Sequence, residues 1–252
     1  MIEHRFSAAA QTYDRHARPQ QLLAQTVVDS IPKRPTTILE LGVGTGQLTR
    51  LLCAKFPEAR IDAVDISAKM IEHSRAQFNN PAINWIVGDA QTYQPNKKYS
   101  LIVSSSALHW VENLQTTFKN IFQCLEPGGF FAFGLMLDGT LQELHQLRKE
   151  IAPQNLPNHT LPSYESVVNA LLHTGFVIKK QNQFSEKMVY SSAKDFFKAL
   201  HEQGVTGGKF GAAKRPLSRT ELAQLVDQYQ QRFSTAENVF ATYQTASFLV
   251  SN

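Results

Sequence analysis

The chain has 252 residues, 42% hydrophobic and 18% charged, and its 25 Lys+Arg against 21 Asp+Glu leave a net charge of +4. Those proportions exclude a disordered, collagenous or coiled-coil chain, and the basic excess is too diffuse for a nucleic-acid binder. The two cysteines, Cys53 and Cys124, lie far apart with no histidine at ligand spacing, which argues against a disulfide scaffold and a zinc site, and no apolar run is long enough to span a bilayer. The opening MIEHRFSAAAQTYDRHARPQ carries charge throughout and lacks the apolar core of a signal peptide, so a cytoplasmic location is expected.

In chain order, the front half alternates strand and helix patterns, which points to a parallel sheet covered by helices. Thr36–Leu41 reads as a buried strand, and QLTRLLCAKF after Gly46 as a helix ended by Pro57. Arg60–Ile66 is a second strand, followed by a helix through SAKMIEHSRAQF with Ser67 as its N-cap. Ile83–Val87 and Leu101–Ser104 are short strands, Asn113–Leu125 is an amphipathic helix, and Phe130–Leu135 is strand five after an E-P-G-G turn. Residues 140–173 are expected to be helical around a Pro-rich break, and Phe176–Lys180 to be strand six. A mixed insertion from about 186 to 233 carries two helix patterns, AKDFFKALHEQ and SRTELAQLVDQYQQRF, and NVFATYQTASFLV suits a last strand. The expected architecture is one α/β domain over 1–252: a Rossmann-like, seven-stranded, mostly parallel sheet with helices on both faces. A helical cap is expected from about 1–30, 136–173 and 186–233.

The densest chemical signal is Glu40-Leu41-Gly42-Val43-Gly44-Thr45-Gly46 at the end of strand one. Alternate glycines let the backbone bend and approach a ligand, and the helix that follows offers free N–H groups to an anionic group. Asp65, at the end of strand two, is placed to accept hydrogen bonds from both hydroxyls of a ribose. A dinucleotide loop reads G-x-G-x-x-G, but position 47 is Gln, so a nicotinamide dehydrogenase is disfavoured. G-x-G-x-G with a preceding acid, Gly88-Asp89-Ala90 after strand three and Glu126-Pro127-Gly128-Gly129 before strand five instead resemble the class I (Rossmann-like) S-adenosylmethionine-dependent methyltransferases. No N/D-P-P-Y motif of nucleic-acid methylation is present.

A closer resemblance covers nearly the whole chain. Arg5-Phe6-Ser7-Ala8-Ala9-Ala10, Thr12-Tyr13-Asp14, Ser105-Ser106-Ala107-Leu108-His109-Trp110, Gly139-Thr140-Leu141-Gln142-Glu143-Leu144, Leu161-Pro162-Ser163 and Leu217-Ser218-Arg219 are similar to segments of the biotin-pathway malonyl-[acyl-carrier protein] O-methyltransferases. Val43 stands where many of those enzymes have Cys, and TGGKFGAAKRP matches them only loosely.

The resemblance implies methyl transfer from S-adenosylmethionine, with S-adenosylhomocysteine as product, to the free carboxylate of a malonyl thioester on a carrier protein or coenzyme A. It implies cofactor contacts from Glu40, Gly42, Gly44, Gly46, Asp65, Ile66, Met70, Asp89, Ala90 and Ser105, with Asp89 meeting the adenine amino group. Tyr13, Gln20, His109 and Trp110 are the substrate-side candidates. His109 is either a hydrogen-bond donor in the pocket or a histidine packed beside Trp110, and Trp110 either walls the pocket or belongs to the core. Arg15, Arg18 and Lys209 are candidate cations for the carboxylate. The cluster Lys209, Lys214, Arg215 and Arg219 is either a solvated loop or a docking patch for an acidic carrier. A carboxylate is already ionised at neutral pH, so no catalytic base and no metal are expected. A monomer without membrane or nucleic-acid partners is expected. The same fold acting on another carboxylate (aconitate-like) or on a quinone ring is the alternative, as is a binding protein that keeps the loop without chemistry.

Overall fold

The computed structural model describes residues 16–32, 34–156, 160–203, 215–235 and 238–252. Its helices are α1 (Arg18–Ser30), α2 (Gln47–Lys55), α3 (Ala68–Arg75), α4 (Leu114–Cys124), α5 (Gln142–Ile151), α6 (Tyr164–Thr174), α7 (Ala193–Glu202) and α8 (Arg219–Arg232). The strands are β1 (Thr37–Leu41), β2 (Arg60–Asp65), β3 (Ile83–Val87), β4 (Tyr99–Ser105), β5 (Leu125–Met136), β6 (Val177–Tyr190), β7 (Ser234–Thr235) and β8 (Asn238–Ser251).

The main strands lie in the order β3-β2-β1-β4-β5-β8-β6, and the two-residue β7 pairs with the start of β8. The strands from β3 to β5 are mutually parallel, and β8 runs antiparallel to both its neighbours. β1 is flanked by β2 on one side and β4 on the other, because the chain runs outward from β1 through β2 to β3 and then returns to lay β4 along the far side of β1. In sheets of this kind the carboxyl ends of such strands open into the ligand crevice.

Side chains on β1 alternate between two cores, as the strand period demands. Leu39 and Leu41 pack with Phe118, Phe131 and Phe133 on one face, while Ile38 packs with Val27, Leu52 and Val103 on the other. The first face is covered by α4 and α6, where Phe118 lies edge-on to Phe131 and Phe176. The second face is covered by α1, α2 and α3.

Helix α1 departs from the expected cap. Leu23, Ala24, Val27 and Val28 form one buried stripe that lies on the sheet. Gly134 of β5 permits that approach, because a Cβ there would stand 2.6 Å from Leu23 Cγ. The E-P-G-G turn also departs from expectation. Leu125 pairs with Tyr99 and Phe130 with Leu101, so Glu126–Gly129 bulge out of a strand that has already begun.

β6 extends ten residues beyond the expected Lys180, staying paired with β8 to Tyr190↔Val239. Glu186–Tyr190, expected at the start of the insertion, are therefore strand. The long ends of β6 and β8 carry a third core. There α5, α7 and α8 pack Leu144, Leu147, Phe196, Leu200, Leu225 and Tyr229 against Met136, Val239, Ala241 and Tyr243. Ser192 caps α7, and Ser218 with Glu221 forms a capping box on α8. Glu143 fastens α5 to β8, its two oxygens accepting from the N–H (3.0 Å) and the hydroxyl of Thr242.

Candidate active site

The glycine loop between β1 and α2 is folded back on β2. Gly42, Gly44 and Gly46 have φ of +80°, +54° and +81°, the left-handed region that favours glycine. The N–H groups of Gly42 and Val43 both donate to Val64 O, at 2.8 and 3.2 Å. A Cβ on Gly42 would lie 2.2 Å from Ala107 Cβ, so this glycine is what allows the ends of β1 and β4 to meet.

Asp65 organises the loop. Its Oδ2 accepts from Gly44 N–H and its Oδ1 from Ser67 N–H, both at 2.8 Å. Burial raises its pKa, and the two N–H bonds oppose that rise. Each oxygen keeps a second lone pair, the capacity a diol requires. Ser67 caps α3 by accepting from Met70 N–H, and Ser74 Oγ donates to Gly44 O at 2.8 Å. Ile66 beside Asp65 is 44% exposed, a large apolar surface on the rim of the crevice.

Glu40 is fully buried rather than facing solvent. Its Oε2 accepts from Thr49 Oγ1 at 2.8 Å, and Oε1 has no partner. Burial, with a further push from the Asp65 charge, raises its pKa to about 8. Asp89 stabilises its own turn, its Oδ1 accepting from Gln91 N–H and its carbonyl from Thr92 and Tyr93 N–H. Ala90, next in that turn, is partly exposed.

Beyond β4, Ser106 is a non-glycine residue at φ +55°, a conformation that persists only where the surroundings enforce it. The hydroxyl oxygens of Ser105 and Ser106 are buried without partners. A short 3-10 turn, Leu108–Trp110, then brings His109 inward. His109 Nδ1 accepts from Met136 N–H at 3.4 Å, which leaves the proton of the neutral imidazole on Nε2. Its ring centroid lies 5.2 Å from that of Trp110. His109 thus packs beside Trp110 and also lines a cavity.

That cavity, about 300 Å³, lies between the ends of β4 and β5 and the helices α5, α7 and α8. Its walls are mostly apolar, including Met136, Leu141, Leu144, Leu161 and Leu225. Three of the substrate-side candidates, Gln20, His109 and Trp110, line it together, and Tyr13 is outside the described residues. Gln20 Oε1 is buried without a partner. The wall is tied shut at one side by Gln203 Nε2 donating to His16 O and by His16 Nε2 bonding Glu202 at 2.8 Å.

The candidate cations separate. Arg18 is exposed and lines no part of the cavity, while Arg15, Lys209 and Lys214 lie outside the described residues. Arg215 grips Glu221 with two bonds of 2.7 and 2.6 Å, which hold the Glu221 carboxyl down to about 2. Arg219 is exposed at the start of α8.

Sequence reasoning missed Gln203, Tyr243 and Arg148 as cavity residues. Arg148 alone left a local signal, a charge four residues after Leu144 and next to Leu147 on the apolar face of α5. Among the described residues no helix is long and apolar enough to cross a membrane, and no group of His, Cys, Asp and Glu is arranged to hold a metal.

A family model described as a methyltransferase domain matches residues 38–129, the span from β1 to the bulge in β5. Malonyl-[acyl-carrier protein] O-methyltransferase of Anoxybacillus flavithermus is 32% identical over 248 residues, 96% of this chain and 93% of that protein. The enzyme of the same name from Priestia megaterium is 28% identical over 270 residues, 100% of this chain and 97% of that protein. Among solved structures, geranyl diphosphate methyltransferase in complex with SAM superposes with a TM-score of 0.56 at 12% identity, over 90% of this chain and 83% of that one. The cyclopropane synthase MmaA2 from Mycobacterium tuberculosis gives 0.57 at 14% identity, over 91% and 82%. The structural likenesses establish the fold, and the sequence likeness, which runs through the cap as well as the sheet, establishes more: the chain belongs to the malonyl-[acyl-carrier protein] O-methyltransferase family of S-adenosylmethionine-dependent methyltransferases.

Proposed function

We propose that this protein methylates the free carboxylate of a malonyl thioester borne by an acyl-carrier protein, making the methyl-ester primer for pimelate and biotin synthesis. The observation that carries this reading is the 32% identity that spans 96% of the chain, because it includes the cap helices that wall the cavity. Methylation masks a charge, so fatty-acid enzymes can elongate the disguised primer. The product is S-adenosylhomocysteine, and the reaction belongs in the cytoplasm.

The crevice fits the cofactor on this chain's own features: an acid with spare lone pairs at the end of β2, an exposed Ile66 beside it, and buried hydroxyls without partners at the end of β4. Asp65 would take the ribose diol, Asp89 the adenine amino group, and Ile66, Met70 and Ala90 the adenine faces. Gly42, Gly44 and Gly46 would line the methionine part, with Ser105 across from them and Glu40 behind. When bound, S-adenosylmethionine supplies an electrophilic methyl group on a sulfonium.

The chain's task is then alignment. An acyl carboxylate has a pKa of roughly 4, so at neutral pH no residue need remove a proton. Gln20, His109 and Trp110, with Tyr13, would orient the acid in a water-poor cavity, which contributes through proximity and desolvation. His109 Nε2–H would act as a hydrogen-bond donor. Removing a true general base costs about 10²–10⁴-fold in rate. His109→Gln is therefore expected to keep kcat within about tenfold of wild type, with the same pH profile from 6 to 8. A loss beyond about a hundredfold would mark His109 as a base and favour a hydroxyl or ring-carbon acceptor instead.

Arg219, exposed at the start of α8, would steer an acidic carrier, with Lys209 and Lys214, which lie outside the described residues, as the further candidates. Arg215 contributes less, because Glu221 already compensates it. Steering of this kind weakens with salt, so rates on the carrier-linked thioester are expected to fall with ionic strength more than rates on the coenzyme A thioester. Equal salt dependence would remove the docking assignment.

A further inference from the structure

Among the described residues, the cavity contains one charge that its surroundings leave uncompensated. Arg215 is matched by both oxygens of Glu221. His145 is held towards its neutral form, by burial first and then by the charges of Arg148 and Lys149. Arg148 has no such answer. Its Nε is buried with no hydrogen-bond partner, and its Nη2 reaches only Asn155 O, at 3.4 Å. None of the ion pairs among the described residues includes it. Burial pulls its pKa down, yet a guanidinium does not give up its proton in a protein.

A partly buried cation with no counter-ion carries a desolvation cost, and an anion entering beside it relieves that cost. The rest of the cavity wall is mostly apolar, and Arg148 shares it with Ser106, His109 and Trp110 at the end of β4. An apolar pocket with a single unpaired guanidinium fits a short acyl chain that ends in a carboxylate.

We propose that Arg148 receives the free carboxylate of the acyl group and so makes this cavity select an anionic acyl thioester over a neutral one. The proposal rests on the methyl-transfer reading above and deepens it by assigning the cation that holds the acid. Asn155 O engages one end of the guanidinium, so the grip is looser than a full two-point clamp. A loose grip suits the reaction, because a tight one would draw charge from the attacking oxygen. Methylation removes the negative charge, the ion pair is lost, and the neutral ester is the weaker ligand. Arg148 then stabilises bound substrate more than the transition state. Its loss should raise KM far more than it lowers kcat.

The test compares wild type, Arg148→Gln and Arg148→Lys, each saturated with S-adenosylhomocysteine, in titrations with malonyl-N-acetylcysteamine and with its methyl ester. Arg148→Gln is expected to weaken the acid by about 10–100-fold, the size of a charge-assisted contact, and to leave the ester within about twofold. Arg148→Lys should recover part of the loss. Turnover of malonyl-coenzyme A should show the rise in KM with kcat largely kept. Equal weakening of acid and ester would make Arg148 a structural residue and overturn the proposal, as would no weakening of either. Wild type that binds neither probe would also contradict it. Arg148-dependent binding of the acid without any methyl transfer would leave this subsite standing and remove the malonyl assignment, so the two failures are distinguishable.

Discussion

Gly42→Ala is expected to abolish methyl transfer by closing the crevice from within. Alanine at φ +80° carries about 1–2 kcal/mol of left-handed strain. The new Cβ would also stand 2.2 Å from Ala107 Cβ, and relieving such an overlap costs about 1–3 kcal/mol more. The relief has to come from the ends of β1 and β4, which carry the loop on one side and Ser105 to Trp110 on the other. Cofactor affinity, read by calorimetric titration, should fall by about thirtyfold to a few thousandfold, as the combined penalty of roughly 2–5 kcal/mol implies. Gly44→Ala separates strain from overlap. Gly44 has φ +54° but nothing within 4 Å of its Cβ position, so only the strain of about 1–2 kcal/mol remains. Equal behaviour of the two variants would mean that the contact with Ala107 does not organise the crevice.

Glu40 should make the whole protein sensitive to pH. Its folded pKa of about 8 lies above the value of 4.5 for an unburied glutamate, because burial disfavours the ion. The folded state therefore keeps a proton that the unfolded chain releases. The contribution of Glu40 is complete below pH 4.5, declines as pH rises, and levels off above about 8. Glu40→Gln has no such titration, and its amide still accepts from Thr49 Oγ1. The variant should gain on wild type by on the order of 4 kcal/mol between pH 5 and pH 8, measured by urea unfolding at each pH. Parallel profiles would show that Glu40 ionises freely in the fold.

The parts of the molecule that were legible in advance are those whose meaning is local. Strand, glycine loop and helix follow one another from Thr37 to Lys55, Asp65 closes the next strand, and Ser67 caps the next helix. Gly88-Asp89-Ala90 falls in the turn after β3, and the segment from Ser105 to Trp110 follows β4 directly. What escaped depends on partners distant in sequence. The stripe on α1 does not say whether it faces a cap or a sheet, and only Gly134, more than a hundred residues later, decides that it lies on the sheet. β6 alternates weakly and carries several lysines, so its last ten residues resemble a loop until β8 pairs with them. Arg148 resembles an ordinary solvated charge at the edge of an amphipathic helix. It comes to line the cavity only when α7 and α8 pack with α5. Arg215, by contrast, looked available for a partner and is held by Glu221, six residues on.

The central claim is that this cavity presents a malonyl carboxylate for methylation, and a direct assay tests it. Labelled S-adenosylmethionine would be offered with malonyl-carrier protein, malonyl-coenzyme A, succinyl-coenzyme A and aconitate, and the label then released by mild alkali. An alkali-labile methyl ester formed mainly on the malonyl thioesters is the predicted result. Label that resists alkali, or an ester formed mainly on aconitate or succinyl-coenzyme A, would contradict it.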